Sequence, residues 1–361
     1  MKRLSILTAI ILAAAALMAS FQNCYACTGI TLKAKDGSTV VARTIEWAAT
    51  DNDCRWVVVP RGHSWKSFIP GGGTSRSFTN VYGYVGVSVV QDELMMEGMN
   101  EKGLSAGLFY FPDYGRYEEY SEANYETNIS DFQLVSYILG RCATVDEVKA
   151  EIARVHIHGF DPRSSTVHWR FAEPSGRQIV LEIIDGKCVF YENNLGVLTN
   201  SPSFDWQLTN LNNYVNLLPG RTEPHTLGNM SLSSFGGGSA MIGLPGDFTP
   251  PSRFVRAAFF QNTAPQKPDA EGSVLTAFHI LGSMEIPIGA QFPVDETPAD
   301  IPSATQCTCV TDMSGLKFYY RSMYDGGIRC IDLKEIDFKK IGLKSEPLVP
   351  SKKEFVHHIR F

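Results

Sequence analysis

The chain has 361 residues, 44% of them hydrophobic and 11% aromatic, which suffices for one large globular domain with a sizeable core. Its formal charge of −6 speaks against nucleic acid or an anionic membrane surface as partner. Beyond the first 26 residues no apolar run is long enough to span a membrane.

Residues Met1 to Ala26 open with Lys2 and Arg3, continue through an apolar stretch from Leu4 to Met18, and end at Cys24-Tyr25-Ala26. This is the pattern of a secretory signal peptide cut after Ala26, so residues 27–361 are expected to form a single exported domain, periplasmic or secreted. Loss of Lys2 and Arg3 with the leader makes the charge more negative by two. The mature chain then begins with Cys27, which carries a thiol and a free α-amine on one residue. An amine with a pKa of roughly 7.7–8.0 can take the thiol proton at neutral pH. A lipid-attachment cysteine fits poorly, because Phe21, Gln22 and Asn23 before Cys24, and Tyr25 before Ala26, are larger or more polar than such processing selects. A disulfide half remains the other reading.

Eight cysteines are present, and cleavage removes Cys24. The odd remainder fits a working thiol at Cys27, and equally a set of buried inert cysteines. Cys307-Thr308-Cys309 and His156-Ile157-His158 lack zinc-site spacing, so no metal or cofactor is expected.

From Cys27 onward the chain reads as strands. Thr28–Lys33 and Thr39–Ile45 flank the turn residues Lys35-Asp36-Gly37, which predicts a hairpin with Arg43 returning close to Cys27. Arg43 then either lowers the thiol pKa or pairs with a carboxylate on the strand surface. Glu46 and Trp47 end that strand. Arg55–Pro60 is a further strand, Ile69–Thr74 a glycine-rich rim without the lysine of a phosphate loop, and Tyr82–Val90 another strand. Gly98–Leu104 predicts a turn into a strand that ends at Phe109-Tyr110-Phe111-Pro112. Those aromatics suit a pocket wall or core packing alike.

Between Ile129 and Val155 the period becomes helical. Ser130 or Asp131 can cap one helix through Arg141, and Thr144-Val145-Asp146-Glu147 has the form of a capping box before a second. Strands resume at Ser165–Phe171, Gln178–Ile184 and Cys188–Glu192, with Asp185-Gly186 as a hairpin turn. Leu198-Thr199-Asn200-Ser201-Pro202 follows, and a side-chain amide there can donate to an oxyanion or simply make a turn. A polar helix near Asn210–Tyr214 and a mobile loop region at Phe235–Asp247 precede a helix from Pro250 to about Asn262, with Ser252 as cap. A helix over Val274–Gly282 and strands at Thr305–Thr311, Leu316–Arg321 and Ile328–Leu333 complete the chain. Alternating blocks of strands and helices indicate an α+β fold of antiparallel sheets with segregated helix pairs.

Several stretches together resemble the choloylglycine hydrolases, the family of bile salt hydrolases and penicillin V acylases. They are Cys27-Thr28-Gly29, Val41–Trp47, Gly98–Leu104, Val197–Pro202, Gly243–Asp247 and Pro251–Arg256, in the family's order. The resemblance covers nearly the whole mature chain. It implies an αββα four-layer sandwich of the N-terminal-nucleophile hydrolase type, linear amide hydrolysis through a thioester acyl-enzyme, and a homotetramer. Residue by residue it makes Cys27 the nucleophile and its α-amine the base, with Arg43 beside it and Arg253 as a second site arginine. Asn200 matches the oxyanion-hole asparagine. The backbone N–H of that hole falls on Tyr110 when aligned on Asn100 or Pro112, and on Phe109 when anchored on Gly107-Leu108. Glu46 stands where the family usually has Asp, one methylene longer against the α-amine.

The substrate class is an apolar acyl amide. Conjugated bile salts are favoured, and phenoxyacetyl penicillins and acyl-homoserine lactones share the chemistry; Trp47, Phe109, Phe111 and the Phe68–Thr74 loop are candidate lining. An exported binding module that keeps the fold without activity, with Glu46 as a sign of decay, is the alternative of a different class. A structural protein that uses its cysteines for disulfides is a third.

Overall fold

The Cys27 hairpin closes because Asp36 and Gly37 supply what a tight turn requires. Gly37 adopts a φ of +89°, and Asp36 Oδ1 accepts from the Ser38 N–H (2.9 Å) and hydroxyl (2.6 Å). The computed structural model describes residues 26–47, 50–161, 165–291, 298, 301–352 and 359. The expected leader, Ala26 excepted, and Cys24 therefore lie outside the described residues.

In chain order the strands β1 (Cys27–Lys33), β2 (Thr39–Glu46), β3 (Arg55–Val59), β4 (Tyr84–Ser88), β5 (Met95–Asn100) and β6 (Ser105–Tyr110) lead into helices α1 (Leu134–Arg141) and α2 (Val145–Ile152). Strands β7 (Val167–Ala172), β8 (Gln178–Ile184) and β9 (Lys187–Glu192) precede helices α3 (Phe204–Asn210), α4 (Pro250–Thr263) and α5 (Ala270–Gly282). The chain returns to strands with β10 (Thr305–Asp312), β11 (Lys317–Ser322), β12 (Asp325–Asp332) and β13 (Lys344–Pro347).

Two antiparallel sheets result, one in the order β1-β2-β10-β11-β12 and one in the order β9-β8-β7-β6-β5-β4-β3-β13. Helices α4 and α5 pack on the outer face of the five-stranded sheet, and α1 and α2 on the outer face of the eight-stranded one. The architecture is the expected αββα sandwich.

Strand alternation divides the core. Ile30, Leu32, Val40, Ala42 and Val310 face the helices and meet Phe254, Ala257, Phe278 and Leu281. Val41, Ile45, Cys307 and Cys309 face the other sheet and meet Met95 and Met99. Because β1 and β2 are covered on both faces, both read as almost unbroken apolar and β-branched runs.

Several local readings change. Gly98-Met99-Asn100 belongs to β5, and the turn begins after it, with Asn100 Oδ1 accepting from the Lys102 (3.0 Å) and Leu104 (3.1 Å) N–H groups. Ile69–Thr74 is the tight turn of a small hairpin, Ser64–Ile69 with Gly73–Thr79. A 3-10 turn, Asp131–Gln133, separates Ser130 from α1. Thr144 does cap α2, accepting from the Glu147 N–H (3.2 Å), while Glu147 reaches back to the Ala143 N–H (2.6 Å). At α4 the cap position is Thr249, because Pro250 and Pro251 occupy the first turn, where a missing N–H costs nothing. Ser252 instead donates to Asp247 Oδ2 (2.6 Å).

Gly107 on β6 faces Glu97 across the pair with β5. A Cβ there would lie 2.0 Å from Glu97 Oε2. That carboxylate is anchored through its other oxygen, which accepts from Arg170 Nη2 at 2.5 Å. Gly107→Ala is therefore expected to cost about 1–3 kcal/mol of unfolding free energy in urea melts; an unchanged melt would show that Glu97 has room to move.

Candidate active site

Register decides what meets at Cys27. Cys27 pairs with Ile45 and Gly29 with Arg43, so all four side-chain positions share the face turned to the eight-stranded sheet. Thr28, Thr44 and Glu46 share the opposite face, toward the helices.

Arg43 is fully buried. Its Nη2 donates to Cys27 Sγ at 2.7 Å, its Nε to the Thr44 carbonyl at 3.1 Å, and its Nη1 to the carbonyls of Met96 (3.0 Å) and Leu108. The guanidinium lies 4.1 Å from the centre of the Phe109 ring, and Glu97 Oε2 is 4.0 Å from Nη1. Glu97 in turn accepts from Arg170 Nη2 at 2.5 Å. Two buried arginines and one carboxylate thus lie beneath the thiol.

A third arginine arrives from α4. Arg253 Nη1 donates to the Cys27 carbonyl (2.5 Å) and Thr28 Oγ1 (2.8 Å), and Nη2 to Asn200 Oδ1 (2.8 Å). Asn200 is brought in by a bridge between Gly29 and Leu198. Its Oδ1 also accepts from the Cys27 N–H (2.8 Å), and its Nδ2 donates to the Tyr110 carbonyl (2.8 Å). An amide nitrogen has two hydrogens, so one N–H of Asn200 remains for a ligand. The main chain of Tyr110, the last residue of β6, hydrogen-bonds the Cys27 sulfur.

Burial pushes the Cys27 thiol above its ordinary value, against the pull of Arg43. The Glu46 charge adds to the rise, while Arg253 and the Tyr110 backbone oppose it. The sulfur therefore rests as a thiol and needs a base to become a nucleophile. Glu46 Oε1 accepts from Thr305 Oγ1 at 3.0 Å, and its buried Oε2 has no hydrogen-bond partner among the described residues. Its backbone N–H donates to the Ala26 carbonyl (3.1 Å), which puts Glu46 opposite the residue whose removal would free the α-amine. Burial raises its carboxyl to about 7, although Arg253, Thr44, Arg43 and Thr305 all pull it down.

Cys27, Arg43, Glu46, Tyr110, Asn200 and Arg253 are thus assembled in one place. Trp47 follows β2, its N–H donating to the Ala304 carbonyl (2.8 Å) and its carbonyl accepting from Gln306 Nε2 (2.8 Å). Phe109 and Phe111 are fully buried: the first lies beneath Arg43, and the second stacks on His168 at 4.5 Å. Phe68 packs on Phe160 at 5.4 Å. The described cysteines are all free; Cys307 and Cys309 are buried side by side on β10, with Cys54 against Cys307. Among the described residues no cluster of three His, Cys, Asp or Glu side chains is arranged to hold a metal. The sequence reading passed over Glu97, His168, Arg170 and Glu182, ionisable residues inside strand-forming runs. Their placement in Met95-Met96-Glu97-Gly98, Val167-His168-Trp169-Arg170 and Val180-Leu181-Glu182-Ile183 was the available signal.

The profile of the family described as "linear amide C-N hydrolases, choloylglycine hydrolase family" matches residues 27–346. A bile salt hydrolase/transferase of Clostridium perfringens is 32% identical over 316 residues, 86% of this chain and 93% of that protein. A penicillin V acylase of Pectobacterium atrosepticum is 28% identical, over 84% of this chain and 79% of its own. The solved structure of a conjugated bile acid hydrolase from Clostridium perfringens superposes with a TM-score of 0.79 at 29% identity, covering 92% of this chain and 100% of that one.

With Ala26 still attached, the raised carboxyl of Glu46 makes stability depend on pH. Its contribution is complete below the unfolded value near 4.5 and is lost as the pH rises through about 7. Urea melts of chain carrying Ala26, taken from pH 4.5 to 7.5, should lose about 3 kcal/mol more in wild type than in Glu46→Gln. Parallel profiles would show that Glu46 is not held protonated.

Proposed function

The chain belongs to the choloylglycine hydrolase family of linear amide C–N hydrolases, and from that premise we propose that it is an exported N-terminal-cysteine hydrolase of conjugated bile salts. The observation that carries the reading is the convergence of Arg43, Asn200 and the Tyr110 backbone on a buried Cys27 thiol. The family match begins at Cys27, the residue that loss of the leader would expose.

Removal of residues 1–26 turns the Cys27 N–H into an α-amine. Asn200 Oδ1 already accepts from this nitrogen, and the unpartnered Glu46 Oε2 is a second acceptor for the ammonium form. The amine takes the thiol proton and the sulfur attacks the amide carbonyl. The oxyanion is met by the free N–H of Asn200 and the backbone N–H of Tyr110. The amine then protonates the leaving nitrogen, and water, deprotonated by the same amine, releases the acid from the thioester. Arg43 favours the thiolate through its 2.7 Å contact. Arg253 holds the Cys27 carbonyl and Asn200, which fixes the amine relative to the oxyanion donors. Trp47, at the end of β2, is assigned to substrate contact. The burial of Phe109 and Phe111 supports a place for them in the floor beneath the site.

Bile salts are preferred to phenoxyacetyl penicillins because the bile salt hydrolase/transferase is matched at higher identity and over more of its length than the penicillin V acylase. Purified protein beginning at Cys27 should release glycine or taurine from conjugated bile salts faster than phenoxyacetate from penicillin V. Cys27→Ala should have no turnover, and Asn200→Ala should lose about 10²–10³-fold in kcat. Turnover by Cys27→Ala would sink the mechanism, and the reverse substrate preference would make the protein a penicillin acylase.

A homotetramer is part of the proposal. Between α3 and α4 the chain forms an arm on which Leu227, Met230, Phe235 and Ile242 are all exposed, an apolar surface suited to a second copy. Light scattering should give a tetramer that Leu227→Asp with Phe235→Asp reduces to smaller species; a monomer in wild type would refute it.

A further inference from the structure

We infer that His168 and Glu182 form a positioning pair that sets the oxyanion hole of this site, an inference that rests on the hydrolase reading above. On the inner face of the eight-stranded sheet, His168 of β7 pairs in register with Phe109 of β6. Both ring nitrogens of His168 have a partner: Nδ1 lies 3.1 Å from Glu182 Oε1, and Nε2 lies 3.1 Å from the Thr199 carbonyl. All these groups are fully buried.

Thr199 directly precedes Asn200, so one side of the ring fixes the backbone that carries the amide donor. The ring also stacks on Phe111 at 4.5 Å and 9°, and meets Phe109 edge-on at 6.1 Å. Phe109 and Phe111 flank Tyr110, the residue that supplies the backbone donor. A single imidazole therefore touches both segments that carry the two halves of the hole, the end of β6 and the turn at Thr199.

Glu182 closes the arrangement. The same Oε1 that meets His168 accepts from the Phe204 N–H (2.9 Å), the first residue of α3. The turn from Thr199 to Phe204 is thus held at both ends by one carboxylate, directly at Phe204 and through His168 at Thr199. A buried polar group is costly unless its partners are in place, so these hydrogen bonds favour this geometry. Neither residue contacts the sulfur, and their effect passes through Asn200 and Tyr110.

The test separates two reactions of the same thiol. Alkylation by iodoacetamide forms a C–S bond and expels iodide, with no carbonyl oxyanion in its transition state. Hydrolysis of a glycine-conjugated bile salt requires the oxyanion hole. His168→Phe keeps the ring stack and removes both hydrogen bonds. It should lower kcat 10–100-fold with KM within twofold, and leave the alkylation rate of Cys27 within twofold of wild type. Should His168→Phe fail to fold, Glu182→Ala against Glu182→Gln carries the same test, since Gln keeps an acceptor oxygen and should recover most of the kcat that Ala loses. Unchanged hydrolysis in the variants, or hydrolysis and alkylation falling together, would overturn the pair's role. If wild type hydrolyses neither bile salts nor penicillin V, the hydrolase reading fails and this inference with it.

Discussion

A fully buried guanidinium is tolerated only if every direction around it is answered, and the centre of this protein is arranged to answer Arg43. Carbonyls from β2, β5 and β6 accept from it, the Phe109 ring lies under it, Glu97 balances part of its charge, and Nη2 donates to the Cys27 sulfur. Because those acceptors come from both sheets, the same cation joins the two halves of the sandwich and fixes where the thiol sits between them. The register of the first hairpin follows from this: a slip of one residue would turn Arg43 toward the helices and leave Glu97 and Arg170 without their third member.

Two effects compete at the sulfur. Arg43, Arg253 and the Tyr110 backbone favour the thiolate, while burial and Glu46 oppose it, and burial is the largest of the five. A nucleophile kept as a thiol by its own enclosure must be activated at the moment of reaction, and a base on the same residue can do so without any approach of elements. In the proposed mechanism Glu46 accepts from that base, with one of its oxygens engaged by Thr305 and the other without a partner among the described residues. Its side chain reaches Thr305 on β10, which ties the carboxylate to the neighbouring strand.

Much of the scaffold was legible in the sequence because it is local. The hairpin at Cys27, the Thr144 cap and the Asp185-Gly186 turn follow from residues a few positions apart. Arg43 was legible too, since a turn near Gly37 brings it back to Cys27 from sixteen residues further along the chain. Asn200 was readable as an oxyanion donor or a turn residue and Arg253 only through family resemblance, because their contacts to Cys27 span 173 and 226 residues and leave no local trace. Phe109 and Phe111 were readable as pocket wall or as core, and the structure buries both. Glu97, His168, Arg170 and Glu182 escaped notice because a charged residue inside a strand looks like its solvent face until the register shows that both faces are covered.

The most direct measurement is the mass of the enzyme quenched in acid during its first turnover of a conjugated bile salt, followed by peptide mapping. The mechanism predicts a chain that begins at Cys27 and carries the acyl group as a hydroxylamine-labile thioester on the peptide Cys27–Lys33. An active chain that still bears Ala26, or an acyl group on any other residue, would contradict it.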